Sequence, residues 1–141
     1  MKYIKSKLLL PLILIIVTAN GCGPVKDCDA IADEFYSAIK SGEYKNIIGL
    51  IDEQALERTP ESTWIEGMAE KQKETGDLIS YQRINFDTQT TDNVTRTILK
   101  FNVKYSKAEL YERMEFIMRN GKQYITYYAY DEDKPEPAPE K

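Results

Sequence analysis

Met114-Glu-Phe-Ile-Met-Arg-Asn-Gly-Lys-Gln-Tyr-Ile-Thr-Tyr-Tyr-Ala-Tyr130 is the stretch that decides the fold. Asn120-Gly121 sits between two alternating runs, and a two-residue type I′ turn needs positive φ at both central positions, which Asn and Gly tolerate. The stretch therefore reads as two antiparallel strands joined by a tight hairpin. With Arg119 facing Lys122 and pairing unbroken, Phe116 lies opposite Ile125 and Met114 opposite Tyr127. One face is then Met114, Phe116, Met118, Ile125, Tyr127 and Ala129. The other carries Tyr111, Arg113, Glu115, Ile117, Tyr124, Thr126, Tyr128 and Tyr130.

Moving toward the N-terminus, Leu99, Phe101, Val103 and Tyr105 alternate with Lys100, Asn102 and Lys104, the period of a half-buried strand. A break at Ser106-Lys107 lets Leu99 meet Met114 and Val103 meet Leu110, so that the apolar faces coincide. A one-residue slip would turn every one of these side chains outward. Ile84 and Phe86 alternate with Asn85 and Asp87, and Asp92-Asn93 supplies another turn. Before Gly76 the period is helical. Asp27 or Asp29 caps a first helix with Ile31, Phe35, Ala38 and Ile39 on one side, closed by Ser41-Gly42. Tyr44, Ile47, Ile48 and Ile51 form a short second helix. Thr59-Pro60-Glu61 opens a third, with Trp64, Ile65 and Met68 apolar and Glu70, Lys71, Lys73 and Glu74 on a solvated face. The order predicts an α+β fold, with N-terminal helices packed on an antiparallel sheet of about four strands.

The ends of the chain read differently. Lys2, Lys5 and Lys7 precede an apolar run from Leu8 to Val17, then small residues, which is the order of a secretory signal over residues 1–21. That run is too short to span a bilayer. Val17-Thr18-Ala19 fits ordinary cleavage, whereas Ala19-Asn20-Gly21-Cys22 resembles a bacterial lipobox, in which the cysteine is lipidated and becomes the N-terminus. The resemblance implies a diacylglyceryl group on Cys22 and a lipid anchor in the cell envelope, on the extracytoplasmic side of a membrane. Residues 22–26 are then a short tether, in which the four residues after Cys22 reach at most about 14 Å, 27–131 the domain, and 132–141 an acidic, proline-rich tail. Cys28 is either a small buried hydrophobe or, if cleavage follows Ala19, a disulfide partner of Cys22.

Three of the 19 basic residues fall in the leader, leaving 16 against 23 acids, a balance of −7. That balance disfavours nucleic acid as a partner. The chain has no histidine, which excludes Ser-His-Asp and Cys-His nucleophilic sites and the imidazole-led metal sites; neither a metal nor another cofactor is expected.

The first helix through Phe35, the Lys40-Ser41-Gly42-Glu43-Tyr44 junction, Trp64 leading to Thr75-Gly76 and the final hairpin together resemble the NTF2-like (cystatin-like cone) superfamily, in particular its small secreted lipoproteins. The resemblance implies a curved sheet whose concave face and helices can enclose a pocket. On the hairpin register Glu112 is the one acid of that face, between Phe101 and Ala129. It is either a pocket carboxylate with Tyr127 or Tyr105 as hydrogen-bond donor, or a strand-end group that reaches water. Trp64 is either core or a lid on the pocket. Tyr111, Tyr124, Tyr128 and Tyr130 on the opposite face form either an interface for a homodimer or protein partner, or ordinary cross-strand packing. The expected function is a non-enzymatic binding or assembly module. The alternative is an isomerase- or dehydratase-type enzyme using Glu112 and a tyrosine.

Overall fold

A computed structural model describes residues 23–132. The leader, Cys22 and residues 133–141 lie outside the described residues. Helix α1 spans Gly23–Ser41, α2 Lys45–Ile48, α3 Glu53–Arg58 and α4 Glu61–Thr75; strands β1 Leu78–Thr91, β2 Val94–Tyr105, β3 Glu109–Arg119 and β4 Lys122–Asp131 follow. The fold is α+β, with helices against a curved four-stranded antiparallel sheet of order β1-β2-β3-β4.

Both expected hairpin turns are present, with φ of 52° and 62° at Asp92 and Asn93 and 51° and 76° at Asn120 and Gly121. Leu99 pairs with Met114 and Val103 with Leu110, as the alternation requires. The core joins Phe35, Tyr36 and Ile39 of α1 to Leu99, Phe101, Met114, Phe116 and Ile125 of the sheet. Gly42, at φ 74°, ends α1. The amides of Gly42 and Glu43 donate to the carbonyls of Ile39 (3.2 Å) and Ala38 (3.0 Å), which satisfies two carbonyls of the last turn.

Four expectations need correction. Helix α1 is already helical at Gly23, the first described residue, rather than opening at an Asp27 or Asp29 cap. The 22–26 tether is therefore helical from Gly23 on, and four helical residues advance only about 6 Å. A fourth helix, α3, lies between the two expected beyond Gly42. Ile84 and Phe86 do not face a core: Ile84 falls where the β1–β2 register shifts, and the two are 45% and 54% exposed. In β1 only Leu78 is buried; α1 meets the strand through polar pairs, Asp29 with Arg83 (3.0 Å) and Asp33 with Tyr81 (2.7 Å).

The last hairpin carries the correction that matters for function. Phe116 pairs with Ile125, but Glu115 pairs with Tyr127, so Thr126 is an extra residue on β4. Its hydroxyl donates to the Glu115 carbonyl at 3.2 Å. A bulge re-aims the chain beyond it. Tyr127 turns outward, 48% exposed. Met114 faces Tyr128, and Glu112 faces Tyr130 rather than Ala129.

Candidate functional site

Glu112 does not reach water. Its side chain is 0% exposed and forms an ion pair, at 2.5 Å, with Lys71 of α4, itself 2% exposed. Three tyrosines complete the cluster. Tyr105 donates to Glu112 Oε1 (2.7 Å), and Tyr36 (3.0 Å) and Tyr128 (2.8 Å) donate to Oε2. The Lys71 ammonium donates to Glu112 Oε1, to the Tyr105 hydroxyl at 2.6 Å and to the Tyr128 hydroxyl.

The count closes. An ionised carboxylate has about four acceptor sites and an ammonium three protons. Glu112 receives two donors on each oxygen, all three Lys71 protons have acceptors, and the Tyr105 and Tyr128 hydroxyls each accept once and donate once. The Lys71 ammonium also lies 4.6 Å from the Tyr105 ring centre and 5.1 Å from those of Tyr128 and Tyr130. Two buried charges are tolerated only when paired and hydrogen-bonded in this way.

The electrostatics follow from burial. Removal from water pushes the Tyr36, Tyr105 and Tyr128 hydroxyls well above the usual phenol range, and the Glu112 charge adds to the shift. They remain donors at neutral pH. Burial draws Lys71 below the ordinary lysine value, while the Glu112 charge and hydrogen bond oppose that shift. A general base needs a free lone pair within reach of substrate. Each Glu112 lone pair is already engaged, and its cross-strand partner Phe101 and its same-face neighbour Met114 are both buried. A depression of about 270 Å³ touches Phe101, Glu112 and Tyr130, but none of its surface comes from the Glu112 side chain.

Of the residues singled out in the sequence, Glu112 and Tyr105 are brought together as expected. Tyr127 is not; the bulge puts Tyr128 in its place. The same shift breaks up the four-tyrosine face, taking Tyr128 inward and setting Tyr130 beside Lys71, while Tyr111 and Tyr124 stay half-buried on the other side. Lys71 and Tyr36 escaped sequence reasoning, although a signal for each existed. Trp64, Met68, Lys71 and Thr75 recur at helical spacing on one side of α4, and Tyr36 lies one turn beyond Ala32 in α1.

Trp64 lines a different feature. A cleft of about 590 Å³ runs from α3 and α4 along the bulged part of β4, bordered by Ala55, Arg58, Trp64, Tyr127, Tyr130 and Tyr128, which it shares with the cluster, and reaching Arg96. The Leu50–Asp52 segment lies at one end, where the Asp52 amide donates to the Ile125 carbonyl and the Ile125 amide to the Leu50 carbonyl, both at 2.8 Å. Buried Asp52 pairs with Arg119, which also donates to Gln54 at 2.8 Å. The Trp64 indole N–H is buried without an acceptor among the described residues.

Cys28 is a buried free thiol in α1. Burial pushes it up to about 12, and the nearby Asp27 and Asp29 charges add to the shift. It behaves as a small hydrophobe rather than a nucleophile. Among the described residues no group of acidic or cysteine side chains could hold a metal ion, and no helix is long and apolar enough to cross a membrane. The chain matches no family model, and no curated protein matches it in sequence.

Proposed function

We propose that the protein is a lipoprotein held on the extracytoplasmic side of a membrane through Cys22, whose NTF2-like domain is a non-enzymatic binding or assembly module. The observation that carries this reading is the contrast between two polar regions. The Lys71–Glu112–tyrosine cluster is closed upon itself, as a scaffold is. The cleft beside β4 is open and mixes aromatic, apolar and charged groups, the composition of a binding site. Binding through this cleft takes the place of the four-tyrosine face, which the bulge divides. An isomerase- or dehydratase-type reaction would have to free Glu112 from four donors before chemistry began, and no observation favours it.

The α1 helix supports a close attachment. Already helical at Gly23, it leaves no extended residues between the lipidation position and the domain. The domain would then rest near the headgroups, with its cleft fixed in orientation relative to the membrane.

Crosslinking of the anchored protein in its own membrane tests the proposal. A photoreactive residue at Gln54, at the rim of the cleft, is expected to capture a specific molecule that the same residue at Thr90, on the far β1 edge, does not. Equal capture from both positions, or none from either, would refute binding at the cleft.

A further inference from the structure

We infer that the cleft beside β4 takes an organic anion, a carboxylate or phosphate ester carried on a flat apolar body. The inference rests on the binding role proposed above and adds the ligand class. Its basis is a local charge that opposes the charge of the chain. The whole sequence carries −4, yet the cleft is bordered by Arg58, Arg96 and Arg119 against only Asp52 and Glu115. Both carboxylates are already engaged: Asp52 with Arg119, and Glu115 with Arg113, at 2.6 Å, which stands outside the cleft. Arg58 and Arg96 remain without an ion-pair partner among the described residues. Both line the cleft, Arg58 from α3 and Arg96 from β2.

Arginine's planar fork suits carboxylate and phosphate oxygens, and charge-assisted bonds of this kind are about twice as strong as neutral ones. The remaining walls suit a flat body: the Trp64, Tyr127 and Tyr130 rings with Ala55 and Met68. A volume of about 590 Å³ lies within the range of small-ligand sites.

The chain has a single tryptophan, so its indole N–H gives one signal in a ¹H–¹⁵N spectrum of the full chain. Titration with 2-naphthoate, 2-naphthyl phosphate and the neutral 2-naphthamide is the test. The expected result is a saturable shift of the Trp64 signal with at least one anion, about tenfold weaker with the amide. The tighter of the two anions distinguishes a carboxylate from a phosphate ligand. Arg58→Gln with Arg96→Gln, both at exposed positions, should weaken anion binding about tenfold and leave the amide unchanged. Equal binding of amide and anions, or full affinity in the double variant, would overturn the ligand class while leaving a binding cleft. No shift with any probe would overturn the class as well. The crosslinking comparison at Gln54 and Thr90 then decides separately whether the binding role stands.

Discussion

Replacing Glu112 by glutamine would leave the Lys71 ammonium, 2% exposed, without a counter-charge in the interior. Breaking a buried ion pair from one side typically costs about 3–5 kcal/mol, against a total stability of about 5–15 kcal/mol for a domain of this kind. Glutamine also places an NH₂ donor where the carboxylate accepts from tyrosine hydroxyls, so the cost belongs at the upper end of that range. Lys71→Met should cost less, because three tyrosine donors still serve the carboxylate. Lys71→Met with Glu112→Gln removes both charges and should cost less than the two single effects added together, a coupling of about 2–3 kcal/mol. Urea unfolding followed by far-ultraviolet circular dichroism measures all four corners of the cycle. A loss of less than about 1 kcal/mol in Glu112→Gln, or two single effects that simply add, would refute a closed cluster.

Other consequences are sharper in pH and in register. A Cys28 thiol raised from 9.0 to about 12 stays protonated in the folded chain after it ionises in the unfolded one, so its contribution falls as pH rises through that window, by about 4 kcal/mol at pH 12. The three raised tyrosines act in the same direction above pH 10, and the lowered Lys71 in the opposite one; stability should therefore decline between pH 9 and 11, less steeply in Cys28→Ala, as read by urea midpoints. Deleting Thr126 removes the bulge but keeps Glu115 against Tyr127 and Met114 against Tyr128, so it should cost only about 1 kcal/mol in thermal or urea unfolding. In an unbulged hairpin the same deletion would turn the core residues beyond it outward and unfold the protein. Mass spectrometry of the mature N-terminus should find a diacylglyceryl-modified Cys22, and an unmodified chain starting at Asn20 would refute the lipid anchor.

Much of the fold was legible because its signals are local. Asn120-Gly121 and Asp92-Asn93 supply positive φ where the turns need it, and alternation in Leu99–Tyr105 has only one register that buries Leu99 and Val103 against β3. The site was harder. The β4 run Ile125-Thr-Tyr-Tyr-Ala-Tyr130 consists mostly of good strand formers, and nothing in it marks Thr126 as an extra residue. One insertion exchanged Tyr127 for Tyr128 beside Glu112. Composition puts Lys71 on a solvated face, because lysine is seldom buried; only its position below Trp64 and Met68 on the α4 stripe points inward. Burial of the lysine and the carboxylate depends on each other, and two elements far apart in sequence had to be docked before either made sense. The β1 apolar residues differ for the opposite reason: α1 reaches the strand at Tyr81 and Arg83 and leaves Ile84 and Phe86 uncovered.

The most direct measurement is the exchange of the Lys71 ammonium protons with water, followed by ¹H–¹⁵N spectroscopy at neutral pH. With all three protons engaged, Lys71 should give a slowly exchanging ammonium signal that is lost in Lys71→Met. Exchange as fast as that of a surface lysine would show an interior open to solvent and Glu112 free to act, and would contradict the division into a closed scaffold and an open binding cleft.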